Sequence, residues 1–407
     1  MNTPPPFLWG AATAGHQVEG NNVNADIWLL EQVRGTTFAE PSGDACDSLN
    51  RTEDDLALIA GMGLNAYRFS TEWSRIEPEP GQFSLAWLDY YAKKARRCRD
   101  LGIAPVVTLS HFTSPRWFAA RGGWENPQAP GLFERFAARV AKALSDTVGH
   151  VITFNEPNLP LMGRWTPTPI SDPVRDGLDA MLAQAARESG SDHYSVWVYS
   201  RGEDEALGRL LDGHRRARGA WKGASPQASV GLSLAVPDVQ PIGDESGVAA
   251  YRRFAEAPFW DAVREDDFVG VQTYGRLRMA ADRVLPPEPN AERTQSGDEY
   301  YPQALGAAVR HVHAVTGRPI FVTENGLAAA DDAQRQRYIA SALDSLDEVR
   351  RTGTPVIGYL HWSLLDNFEW RRGYGQQFGL AAVDRGTFRR TPKASAGLYA
   401  NLVAARR

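Results

Sequence analysis

The sequence predicts an α/β protein built as a single (β/α)8 (TIM) barrel with its site at the C-terminal ends of the strands. Three observations carry that prediction: eight short apolar runs bounded by turn residues, amphipathic stretches between them, and chemically active side chains at nearly every run's end. Alternation of this kind is the mark of βα units and a parallel sheet. In a closed barrel the ligand site lies in the loops that follow the strands. The 407 residues exceed an average domain, but barrels reach that length as one unit, and no linker interrupts the alternation. Residues 1–407 are therefore read as one barrel domain.

In order, the apolar runs are Leu8 to Thr13, Ala66 to Phe69, Pro105 to Leu109, Val151 to Phe154, Ser229 to Leu234, Phe268 to Thr273, Pro319 to Val322 and Val356 to Leu360. Thr52 to Met62 reads as a helix, with Thr52 as its cap and Leu56, Ile59 and Ala60 on one face. Leu85 to Leu101, Pro130 to Val148, Leu207 to Trp221 and Ala333 to Thr352 repeat that periodicity. Ser189 to Glu203 and Pro286 to Asn290 are rich in turn formers and read as long surface loops. Asn158 to Gly208 is the least patterned segment, and an excursion after the fourth strand of a barrel would lie beside its mouth.

Composition narrows the function. Hydrophobic residues make up 43% of the chain and charged residues 23%, an ordinary globular balance. The net charge of -5 is spread along the sequence, which leaves no basic face for nucleic acid or anionic lipid. Cys46 and Cys98 are too few for a disulfide framework or a structural zinc site. His311 and His313, two apart in a helical stretch, do not share a face and make no metal site. There is no HExxH, no phosphate-cradling glycine loop and no GxSxG elbow, so chemistry without a cofactor or metal is expected. With no basic and apolar leader before Phe7 and no long apolar run, the expectation is a cytoplasmic protein.

The run ends supply the candidates: Gln17 after the first, Arg68 near the second, His111 after the third, Asn155 and Glu156 after the fourth, Tyr274 after the sixth, Glu324 after the seventh and Trp362 after the eighth. The fifth offers nothing recognisable. Two of these are carboxylic acids closing apolar strands, in Thr153-Phe154-Asn155-Glu156-Pro157 and Val322-Thr323-Glu324-Asn325-Gly326. One barrel brings the ends of strands four and seven to the same mouth. Cleavage of a glycosidic bond needs two flanking carboxyl groups, one protonated and one ionised. A lone strand-end Glu is more often a loop capper than a catalyst; two in these settings reverse the odds.

Several motifs make the reading specific: Phe7-Leu8-Trp9-Gly10-Ala11-Ala12-Thr13-Ala14 with Gln17 and Glu19-Gly20, Tyr67-Arg68-Phe69-Ser70, the two glutamate segments, and His361-Trp362-Ser363-Leu364-Leu365-Asp366-Asn367-Phe368-Glu369-Trp370. Over nearly its whole length the chain resembles a family 1 glycoside hydrolase. The resemblance implies a retaining β-glycosidase acting by double displacement on small β-glycosides, glucosides first, with galactosides and fucosides as further candidates. It matches Glu156 to the acid/base and Glu324 to the nucleophile, with carboxyl groups about 5–5.5 Å apart. Arg68 and Tyr274 match positions beside the nucleophile, where they would hold it ionised at a low pKa, and Asn155 matches the residue that binds the sugar 2-OH.

Gln17, His111, Trp362, Glu369 and Trp370 match sugar-binding positions. A sugar ring offers polar edges and a flat C–H face, so paired polar groups and an aromatic platform suit it. Gln17 and Glu369 could each bridge two hydroxyls, and Glu369 would repel a phosphate, which points to a neutral hexoside. The chain departs from the family pattern at His16-Gln17, where an aromatic-Gln pair is usual, at His111-Phe112 instead of His-Trp, and at Gln272-Thr273-Tyr274 instead of Asn-Tyr. Its shortness implies trimmed loops and an open aglycone side. Two rival readings remain: transglycosylation through the same intermediate, and a sugar-binding barrel without turnover. Oligomeric state is not legible.

Overall fold

The computed structural model describes residues 6–163 and 172–407. Eight parallel strands close into a barrel in the order β1 to β8: β1 (Leu8–Ala12), β2 (Ala66–Ser70), β3 (Ala104–Ser110), β4 (His150–Asn155), β5 (Ser229–Ala235), β6 (Phe268–Thr273), β7 (Ile320–Asn325) and β8 (Val356–Trp362). β8 pairs with β1, which completes the closure. Each expected run is a barrel strand. A helix of the outer layer follows each: α1 (Thr52–Gly61), α2 (Leu85–Asp100), α3 (Ala129–Leu144), α4 (Asp204–Ala224), α5 (Ser246–Ala255), α6 (Ala304–Thr316), α7 (Asp332–Arg351) and α8 (Ala394–Ala404).

Three apolar clusters organise the interior. Leu8, Ala66, Val106, Ile152, Phe268, Phe321 and Leu360 fill the barrel itself. A larger cluster, including Leu56, Phe136, Val140, Leu210 and Leu343, lies between strands and helices. Burying such surface contributes about 25 cal/mol per Å², and it explains why the strands read as continuous apolar runs. A third cluster joins Ile27, Leu30, Phe38, Leu178, Met181, Tyr194, Val196 and Phe368. The partly buried Phe112 and Trp370, which border the cavity described below, pack against it.

Several expectations need correction. Thr52 is the first residue of α1 and not its cap; its hydroxyl bonds the Ser48 carbonyl, and Ala60 faces outward while Leu56 and Ile59 are buried. The unpatterned segment after β4 contains the helix Asp172–Ser189, and residues 164–171 of it lie outside the described residues. Ser189 to Glu203 is no simple surface loop, because Tyr194, Val196 and Tyr199 are buried in it. Aromatic residues among turn formers signal an anchored loop, and that signal outweighs the Gly and Ser around them. A small sheet of Asp238–Pro241, Arg276–Met279 and Val284–Leu285, outside the barrel, had no counterpart in the sequence reading.

Candidate active site

The barrel register breaks where the candidate side chains sit. β4 shifts against β5 between Ile152 and Asn155, and β7 shifts against β6 between Val322 and Glu324. Such irregularities re-aim side chains that a regular strand would point elsewhere. Glu156 follows immediately with φ of 45°, left-handed and costly for a residue with a side chain. Its N–H bonds the Ser233 carbonyl at 2.9 Å, and the Ser233 hydroxyl lies 3.0 Å from that of Thr323. The fifth strand, which offered nothing in the sequence, thus braces both acid-bearing strands. Only its serine hydroxyl, inward in a run that reads as apolar, could have signalled this. Gly326 closes the second motif because a Cβ there would lie 2.0 Å from the Trp362 carbonyl oxygen.

Arg68, wholly buried in the barrel, organises the floor. Its Nη1 donates to Glu324 Oε1 at 2.6 Å, its Nη2 to Asn155 Oδ1 at 2.5 Å and its Nε to Thr108 Oγ1 at 2.9 Å. The Tyr274 hydroxyl donates to Glu324 Oε2 at 2.5 Å. One carboxylate is therefore clamped through both oxygens. Gln272 Nε2 also donates to Asn155 Oδ1, at 2.7 Å. With its oxygen doubly engaged, Asn155 is left with an unpartnered buried Nδ2, a donor held ready for a ligand.

Glu156 and Glu324 line one cavity of about 420 Å³, together with Asn155, Tyr274, His111, Trp362, Glu369 and Trp370. Eight of the ten candidates thus meet on one wall. Arg68 acts from beneath it, and Gln17 is likewise buried and absent from the cavity lining. Gln17 does not present a two-sided amide: its Nε2 donates to the Phe368 carbonyl at 2.7 Å and to Asn367 Oδ1 at 3.1 Å, leaving only Oε1 unpartnered. The Glu369 Oε1 and His111 Nδ1 atoms are unpartnered as well. Buried polar atoms normally have partners, and several orphans gathered around one cavity indicate a polar ligand that supplies them.

The outer cavity holds residues the sequence reading did not single out. Leu159, Val198, Tyr199 and Phe112 form an apolar side, and Thr294, Ser296, Asp298, Arg372 and Gln376 a polar one. The unpatterned segment after β4 does reach the mouth, as expected.

Electrostatics separates the acids. Burial, then the Glu324 charge, pushes Glu156 well above the usual carboxyl range; Arg68 opposes this and Glu369 adds to it. At Glu324 burial also raises the pKa, against Arg68 and the Tyr274 hydrogen bond. The expected low value is therefore not found: the cost of burying the carboxylate outweighs its two partners. Glu369 is pushed up to about 8, chiefly by burial, against the Trp362 indole. At neutral pH Glu369 therefore favours its protonated form, so it repels phosphate less by charge than the sequence suggested. Burial and Arg68 drive His111 well below its ordinary range, so it faces the cavity as a neutral imidazole. Among the described residues no cluster of side chains could hold a metal; His311 Nε2 lies 2.8 Å from Glu256 Oε2 and His313 Nδ1 2.8 Å from the Arg318 carbonyl. No helix among them is long and apolar enough to cross a membrane.

Comparison with known proteins agrees with this architecture. The model of glycosyl hydrolase family 1 matches residues 2–186 and 261–407. The β-glucosidase of Agrobacterium sp. (strain ATCC 21400) is 31% identical over 98% of this chain and 95% of its own. The bifunctional β-D-glucosidase/β-D-fucosidase of Bifidobacterium breve is 30% identical over 99% and 98%. The apo structure of β-glucosidase 1317 superposes with a TM-score of 0.95 at 44% identity, covering 98% of both chains.

Proposed function

The chain belongs to glycosyl hydrolase family 1 and is a retaining β-glycosidase, an O-glycoside hydrolase, and from that premise we propose that Glu156 and Glu324 perform its chemistry on unphosphorylated β-glucosides and related β-fucosides and β-galactosides. The observation that carries the assignment is the asymmetry of two acids on one cavity. Glu324 is gripped by a guanidinium and a phenol, whereas burial and a neighbouring charge favour the protonated form of Glu156.

In the first step Glu324 Oε attacks the anomeric carbon as the C1–O bond to the aglycone breaks, and the Glu156 proton passes to the departing oxygen. In the second, Glu156 takes a proton from water, whose oxygen attacks the same carbon and releases Glu324. Configuration is inverted twice and so retained. The unpartnered Asn155 Nδ2 would meet the sugar 2-OH, where a hydrogen bond strengthens as positive charge builds on the ring. Gln17 Oε1 and Glu369 Oε1 would accept further hydroxyls, with Trp362 and Trp370 as apolar walls. A glycone bearing phosphate would bury a dianion in the cavity that holds Glu324, and a Glu369 that lost its proton would add a second negative charge. A cytoplasmic location is the reading for the cell, supported by two buried free thiols.

The test is covalent capture. A 2-deoxy-2-fluoro-β-glucoside with a good leaving group should inactivate the protein and add one sugar mass to the peptide carrying Glu324. A label on any other residue overturns the assignment.

A further inference from the structure

Two aromatic walls of the cavity belong to a longer stack. The rings of His16, Trp370, His111 and Trp362 follow one another at centroid separations of 5.7, 6.1 and 5.6 Å, with interplanar angles of 2°, 12° and 16°. Three of these border the cavity; His16 lies behind them, buried. The backbone holds Trp370 at φ of 52°, a conformation that persists in a bulky residue only when neighbours impose it.

His16 is keyed at both ring nitrogens. Nε2 lies 2.7 Å from Glu31 Oε1, and Nδ1 lies 3.3 Å from Asn22 Nδ2. The Asn22 amide also donates to Glu72 Oε2 at 2.8 Å and accepts from Ser74 at 2.8 Å, which fixes its orientation. Nδ1 is therefore the acceptor and Nε2 the donor. Two in-plane bonds on opposite sides stop the imidazole from turning, which packing alone would not do for a phenyl ring in the same place.

Glu31 serves a second contact to the same end. Its Oε2 accepts from the Ser42 N–H and hydroxyl at 2.8 and 2.7 Å. The turn that carries Trp370 is moored on that segment: Tyr374 N donates to Glu40, its hydroxyl to the Ser42 carbonyl, and the Arg371 carbonyl accepts from Ala39 N at 3.0 Å. One buried carboxylate thus fixes both the plate beneath Trp370 and the strip that anchors its turn.

We propose that His16, locked by Glu31, is a positioning residue that sets the plane of Trp370 and thereby the wall of the sugar pocket. The proposal rests on the reading of Trp370 as a sugar-contacting residue. It also gives a physical role to a histidine at a place where the family pattern has an aromatic ring.

The test is a double-variant cycle read with the inhibition constant of a monosaccharide-sized iminosugar, alongside kcat on an activated aryl β-glucoside. H16F keeps a flat plate but loses both keys, and should weaken the inhibitor about tenfold, within the range of couplings between contacting groups, while kcat changes by less than about threefold. On a W370A background, H16F should add nothing. Should H16F fold poorly, E31Q supplies the same cycle, because an amide would turn N–H groups toward the Ser42 donor. Full additivity of either variant with W370A, or an H16F protein that binds inhibitor normally while W370A does not, overturns the positioning role. A W370A protein with unchanged inhibitor binding would instead sink the reading of Trp370 itself.

Discussion

Replacing Tyr274 by Phe removes one hydroxyl partner from Glu324, the proposed nucleophile, and little else. The phenol donates to Glu324 Oε2 at 2.5 Å, and the ring packs edge-on against Phe378 at 5.8 Å, a contact Phe would keep. A hydrogen bond to a buried charged group contributes about 1.5–3 kcal/mol. At about 1.36 kcal/mol per pH unit, losing it moves the Glu324 titration upward by about one to two pH units. The sign follows from which form the bond favours. Tyr274 stabilises the ionised carboxylate and so opposes the rise caused by burial; without it the pKa climbs further. The proposed mechanism requires ionised Glu324, so the acid limb of kcat/KM should move to higher pH by that amount. The alkaline limb, which the proposal assigns to Glu156, should move much less, because the shift of Glu156 is due first to burial and next to a charge that is unchanged once Glu324 ionises. The assay is a quenched measurement of kcat/KM on an activated aryl β-glucoside across roughly pH 4–9, with circular dichroism to confirm folding. A folded Tyr274→Phe protein whose acid limb stays in place would refute the role given to the phenol.

Three further outcomes are expected. Glu156→Ala should lose most activity on glucosides with poor leaving groups and regain some with azide, yielding a β-glucosyl azide by NMR; an α product contradicts retention. Gly326→Ala, whose Cβ would sit 2.0 Å from a carbonyl oxygen, should lower stability by at least about 1–3 kcal/mol, the usual cost of overpacking, and a thermal melt unchanged from the parent would show that the backbone yields freely. A 6-phospho-β-glucoside should be cleaved at least about a hundredfold more slowly than the unphosphorylated compound, since a buried unpaired charge costs several kcal/mol; comparable rates by product chromatography would refute the argument from burying the dianion beside Glu324 and Glu369.

The barrel was legible because its strands are buried on both faces, which leaves an apolar run wherever a strand occurs. The site was legible because a barrel gathers strand ends, so Glu156 and Glu324 could be paired without knowing the coordinates. What stayed hidden depends on relations between strands that no single segment carries. Ser233 braces both acid-bearing strands, but its hydroxyl is one polar atom in an apolar run. Gln17 looked two-sided until its donors were found engaged by Phe368 and Asn367, which are distant in sequence. The pKa of Glu324 was misjudged for the same reason. Its partners were named from the sequence, but the extent of its burial depends on the whole fold.

Burial raises both acids, so it cannot by itself decide which one holds the proton. The decision lies in the partners: Glu324 has a cation and a donor, while Glu156 faces two other carboxyl groups. Forming the glycosyl ester would neutralise Glu324, and the largest of the charges that keep Glu156 protonated would then vanish. Arg68, no longer opposite a carboxylate, would act on Glu156 with less compensation and favour its ionised form. Burial remains, so the pKa would fall only part of the way, toward a value where the group can still take a proton from water. The fixed arrangement of one arginine and two glutamates would thus supply an acid before the ester forms and a base afterwards, with no rearrangement of the barrel.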